Sequence, residues 1–149
     1  MFESIEERTL PPLERRIRYR EGYNYQLVDD YRTVIEIRPV GFILTDYVRL
    51  DTDGTLWICK GYAWDGPSGP AIDTKNFMRG SLVHDALYQL MRGARLPQSA
   101  RLEADKILRR ICLEDGMSSV RAWWVYTGVR VGAAPAAAPG SDAPDLEAP

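Results

Sequence analysis

The chain has 149 residues, 45% of them hydrophobic and 27% charged, with a formal net charge of −2. This composition describes one soluble globular domain with enough apolar side chains for a core, and its charge excludes a general electrostatic attraction to nucleic acid. The opening stretch "MFESIEERTLPPLERR" lacks the apolar core of a signal peptide, and no apolar run approaches the roughly 20 residues that cross a bilayer, so a cytoplasmic protein is expected. Cys59 and Cys112 allow one disulfide or two buried thiols; with no CxxC spacing to suggest zinc, buried thiols in a reducing compartment is the simpler reading.

In chain order, residues 1–20 mix acidic and basic side chains around Pro11-Pro12 and read as an arm or an edge strand. Residues 23–64 read as strands. In "YRTVIEI", Tyr31, Thr33, Ile35 and Ile37 alternate with Arg32, Val34 and Glu36, close to period two. "FILTDYVRL" (42–50) and "TLWICKGYAW" (55–64) are rich in β-branched and aromatic residues and flank "DTDG" (51–54), which predicts a hairpin turned at Gly54. Asp51 and Asp53 resemble the start of a calcium loop, but the later acidic positions of such a loop are missing, so the turn is the better reading. The glycines and prolines of "DGPSGPAIDTKN" (65–76) predict a loop.

Helices follow. Leu82, Val83, Ala86, Leu87, Leu90 and Met91 recur at helical spacing over residues 77–92, with Gly93 as the stop. A second helix is expected from a cap at Ser99 to about Asp115, with Gly116 after it. "SSVRAWWVYTGVRV" suits a third helix begun at Ser118 or Ser119, although its β-branched and aromatic content also suits a strand. From residue 133 the Pro/Ala-rich sequence predicts a disordered tail. The fold class expected is α+β: an N-terminal antiparallel β-sheet or hairpins followed by two or three packed α-helices, all within residues 21–132.

The only histidine lies in "LVHDALYQLM" (82–91). On a helix, His84 and Tyr88 share a face and Asp85 lies about 100° around the axis. Asp105 sits at the edge of the second helix's apolar stripe, where a carboxylate needs a partner. If the two helices pack antiparallel across residues 93–98, His84 and Tyr88 are those partners. A carboxylate holding one ring nitrogen leaves the other free to take a proton from water. The plainer reading is a core histidine with a satisfied hydrogen bond. The loop "WDGPSGP" just upstream either turns carbonyl oxygens inward, which with Asp85 would suit a cation such as calcium, or is merely tight.

The blocks "WDGPSGP", "RGSLVHDALYQLMR" and "ADKILRRICLEDGM" resemble a family of small phage and prophage proteins known only as a domain of unknown function, over about residues 20–131. The resemblance implies a viral or prophage origin and brings no activity. "HDALYQLMRG…EADKIL" is also similar to the catalytic core of the phospholipase A2 group, especially its compact viral and prokaryotic forms. That resemblance implies His84 as general base, Tyr88 and Asp105 as its orienting network, and calcium at Asp85 with Asp65, Gly66 and Gly69 of the loop. Prolines stand where that group favours glycine, and the β-rich segment 23–64 has no counterpart in it. Calcium-dependent phospholipid ester hydrolysis is one expectation. The other is a non-enzymatic phage protein, structural, for assembly or for contact with a host protein, in which His84, Asp85, Tyr88 and Asp105 form a buried polar network. Partners would be a phospholipid membrane surface or other phage and host proteins, in the host cytoplasm or in the virion. Trp123, Trp124 and Tyr126 read as packing the third helix onto the sheet, with a membrane interface near Arg121 and Arg130 as the alternative.

Overall fold

The computed structural model describes residues 17–20, 25–65, 75–132 and 134–139. Among the described residues seven short strands come first: β1 (Tyr19–Arg20), β2 (Tyr25–Leu27), β3 (Tyr31–Val34), β4 (Ile43–Leu44), β5 (Val48–Leu50), β6 (Thr55–Ile58) and β7 (Ala63–Trp64). They pair antiparallel in two sheets, ordered β1-β2-β7 and β3-β6-β5-β4. The chain passes from one sheet to the other twice, between β2 and β3 and between β6 and β7. Backbone bonds from Leu27 to Tyr62 (2.8 Å) and from Gly61 to Leu27 (2.7 Å) tie the two crossings together. Helices follow, so the class is α+β.

The period-two pattern of residues 31–37 sets the burial: Tyr31, Ile35 and Ile37 point into the core while Val34 and Glu36 face out. The turn at 51–54 joins β5 to β6. Gly54 adopts φ +89°, and a Cβ there would lie 2.3 Å from the Ile35 carbonyl oxygen, so only glycine fits. "FILTDYVRL" is not one strand. It folds back at residues 45–47, where Thr45 Oγ1 accepts from the Val48 amide at 3.0 Å. A threonine side chain does the work that glycine or proline usually signals. "TLWICKGYAW" is likewise divided, with β6 in one sheet and β7 in the other.

Helix α1 (Lys75–Arg92) is buried around most of its circumference. Its Arg79, Ser81 and Asp85 meet sheet-side groups: the hydroxyl of Tyr31, the indole N–H of Trp64 and the hydroxyl of Tyr62. Another face meets α2 (Arg101–Glu114), where Gly80 allows close approach; a Cβ on it would stand 3.0 Å from both Leu108 Cδ1 and Cys112 Sγ. The helix ends at Arg92 with Gly93 next, as expected, but the left-handed residue of the stop is Ala94 and not the glycine. Ala94 takes the left-handed conformation (φ +56°), with Arg95 and Ala94 amides bonding back to Leu90 and Met91 carbonyls. Ser99 does not cap α2: a 3-10 turn over Gln98–Ala100 leads into it without a side-chain cap. Gly116 (φ +96°) closes α2, and Ser118 Oγ accepts from the Arg121 amide to start α3 (Ser119–Gly132), which is a helix and not a strand.

Leu82, Val83, Ala86, Leu87, Leu90 and Met91 share one core with the strands' inner faces and with Ala104, Ile107 and Ile111 of α2. A smaller cluster, Phe77, Leu108, Cys112, Met117 and Ala122, seats α3 on α1 and α2. Trp123 and Trp124 therefore do not pack onto the sheet; both are exposed. The expected disorder from residue 133 does not hold at its start. Ala134–Ala137 forms a short helix, α4; Ala137 is fully buried, and Gln98 and Arg92 donate to the carbonyls of Ala137 and Ala136. Residues 1–16 of the arm and 140–149 of the tail lie outside the described residues. Cys59 and Cys112 are both buried, and no disulfide joins them. No described helix is long and apolar enough to cross a membrane.

Candidate functional site

The α1–α2 connection is short enough to lay the two helices side by side, and Gly80, one turn before His84, brings their axes close. His84 Nε2 then lies 2.7 Å from Asp105 Oδ1, and the Tyr88 hydroxyl donates to the same oxygen at 2.6 Å. The other carboxylate oxygen, Oδ2, accepts from Arg130 Nη1 of α3 at 2.8 Å and has Arg101 Nε at 4.0 Å. Asp105 is fully buried, while the His84 side chain keeps 12% of its surface exposed at the edge of the core.

The charges follow from this geometry. Burial acts to raise the Asp105 pKa, but donation by His84, Tyr88 and Arg130 outweighs it and the pKa lies below the ordinary value. Asp105 is therefore a carboxylate that only accepts. Nε2 must carry the imidazole proton, and Nδ1 is left as the basic nitrogen. The Tyr88 hydroxyl is pushed up by burial and by Asp105, so it remains a donor. Its oxygen accepts from Arg101 Nε at 3.2 Å, and Arg101 Nη2 also donates to the carbonyls of Val129 (2.7 Å) and Arg130 (2.9 Å) at the end of α3. The His84 ring lies against Tyr88 with centroids 4.1 Å apart. Three helices thus converge on one carboxylate.

Asp85 faces elsewhere. Its Oδ2 accepts from the Tyr62 hydroxyl, beside β7, at 2.7 Å. Burial, opposed by that donation and by Arg92 and His84, holds the Asp85 pKa above the ordinary value, and the charge of Asp65 pushes the same way. Asp65 is exposed; Gly66 and Gly69 lie outside the described residues. The donors placed here are oxygens, the chemistry a hard cation takes. Among the described residues, no three His, Cys, Asp or Glu side chains cluster closely enough to hold a metal ion.

Three participants lie outside the sequence pattern around His84. Arg101 is one helical turn before Asp105, a spacing open to inspection. Tyr62 and Arg130 reach the site across 23 and 25 residues, and no local pattern announces either. A separate cavity of about 500 Å³ between the β3–β4 loop and the start of α2, lined by Glu36, Arg38, Arg95 and Glu103 among others, contains none of these residues.

No curated protein and no solved structure matches the chain. Residues 43–129, more than half of the chain and the segment holding Tyr62, His84, Asp85, Tyr88, Arg101 and Asp105, match the family described as Protein of unknown function (DUF1353), and the chain belongs to that family.

Proposed function

We propose that the protein is a phage- or prophage-encoded hydrolase that cleaves phospholipid esters, with His84 as general base. The observation that carries this reading is the 2.7 Å contact between His84 Nε2 and a sealed, ionised Asp105, made by a histidine at the solvent edge. His84 Nδ1 takes a proton from water as its oxygen attacks the ester carbonyl. Asp105 steadies the imidazolium so formed, and Tyr88 and Arg130 fix Asp105. The imidazolium then returns the proton to the departing alkoxide, giving a fatty acid and a lysophospholipid.

Asp85, with Asp65 and carbonyls of the Gly66–Gly69 loop, would hold calcium, which when bound supplies positive charge to polarise the ester carbonyl. Burial and the field of Asp65 both disfavour an ionised Asp85, a combination that a divalent cation relieves. The resemblance of "HDALY…AD" to the phospholipase A2 core supports the same assignment.

The test is fatty-acid release from phospholipid vesicles by the purified protein, with calcium and with excess chelator. Release with calcium that the chelator abolishes is expected. Undiminished release in chelator removes calcium from the reading, and no release in either condition removes the hydrolase.

A second reading has its own observation: Asp105 receives donors from α1 and α3 and so braces three helices. On that reading the network sets helix packing in a non-enzymatic phage protein. Loss of stability without any activity to lose would favour it.

A further inference from the structure

Helix α3 is apolar on both sides. Ala122, Val125 and Val129 face the core, while Val120, Trp123, Trp124 and Val131 fall within about 100° of one another on the opposite side. These four are 67%, 53%, 70% and 82% exposed. A surface helix ordinarily turns polar residues outward; here Thr127 alone is polar on the outer face, and an exposed apolar face with two tryptophans marks a contact surface.

The charge pattern says which kind of contact. Nothing acidic occurs in "SVRAWWVYTGVRVG", which carries Arg121 beside this face and Arg130, whose charge is already paired with Asp105. From α2 the Arg109 guanidinium lies over the Trp123 ring, 5.4 Å from its centroid. An apolar aromatic face with a cationic border matches the boundary of an anionic lipid layer, where indole rings settle at headgroup depth. A second copy fits poorly. Two such faces related by a twofold axis would bring Arg109 and Arg121 of both copies together with no acidic residue in either α3 to offset them.

We propose that this face of α3 seats the protein on an anionic phospholipid bilayer through Trp123 and Trp124. The inference rests on the phospholipid reading of the His84 site for its purpose, and it deepens that reading, because Arg130 joins the same helix to Asp105. Seating itself requires no turnover.

The experiment uses vesicles of ether-linked phosphatidylcholine and phosphatidylglycerol, which offer no ester to cleave, with co-sedimentation and tryptophan emission as readouts. Trp57 and Trp64 are buried, so an emission shift reports Trp123 and Trp124. Binding with a blue shift is expected, weakened about tenfold or more on phosphatidylcholine alone or in a Trp123→Ser/Trp124→Ser double variant. Both replaced residues are exposed, and an unchanged circular dichroism spectrum confirms the variant's fold. Equal binding by the variant, or a concentration-dependent dimer that the variant abolishes, overturns the proposal. So does failure to bind anionic vesicles, which leaves the face to a protein partner. A protein that binds vesicles but releases no fatty acid from ester lipids counts against the His84 chemistry alone.

Discussion

Replacing Asp105 with asparagine keeps the shape of the side chain and removes its charge at the point where α1, α2 and α3 meet. The amide oxygen can still accept from His84 or Tyr88. The amide nitrogen, however, must face either that pair or Arg130, and it can only donate. Each hydrogen bond to a charged group contributes about 1.5–3 kcal/mol, and breaking a buried ion pair from one side costs about 3–5 kcal/mol. Arg130 keeps 31% of its side chain exposed and can turn to water, which places the loss at the lower end, about 3 kcal/mol. For a domain of this size that corresponds to a fall in Tm of about 10 °C. Urea unfolding followed by circular dichroism measures it, and an unchanged m-value confirms that the folded and unfolded states are otherwise comparable. A loss below about 1 kcal/mol would mean instead that the three donors gain little from the charge they surround.

Asp85 should behave in the opposite way. An acid whose folded pKa is raised binds more protons folded than unfolded, so its contribution to stability falls as pH rises from the ordinary value through the raised one. Asp85→Asn should therefore have a higher Tm than wild type at pH 7, with the gap closing as pH falls to about 4, while losing calcium-dependent activity; a lower Tm at pH 7 contradicts the assignment. Ala94→Gly should raise the urea midpoint, since alanine in the left-handed region costs about 1–2 kcal/mol and the extra unfolded-state freedom of glycine returns about 0.5–1 kcal/mol of that. An unmoved or lowered midpoint would show that the Ala94 backbone is not strained.

The arrangement of elements was readable where one local rule dominated. Period-two burial at residues 31–37 and the "DTDG" turn carried the β region, and the apolar spacing of residues 82–91 carried α1. The rule failed where a side chain replaced the usual signal. Thr45 turned the chain without glycine or proline, and Ala94 took the left-handed position next to an available Gly93. The Pro/Ala composition after residue 132 hid α4, because Ala137 is held by the α1–α2 connection rather than by its own propensity. The contact of His84 and Tyr88 with Asp105 was legible because both faces follow from helical pitch and a short connection fixes the pairing. That Asp85 would turn to Tyr62, and that Arg130 would arrive from α3, depends on packing between distant segments, which spacing along one helix does not encode. Aromatic residues usually pack inward, so nothing in the sequence signals the exposure of Trp123 and Trp124.

On the hydrolase reading His84 is a base and not a brace. The most direct measurement compares His84→Gln with wild type for both fatty-acid release in calcium and Tm on the same preparations. His84→Gln should lower the rate at least about 10²-fold while moving Tm by only a few degrees. An unchanged rate, or wild-type protein that releases nothing while the variant's Tm collapses, would contradict it.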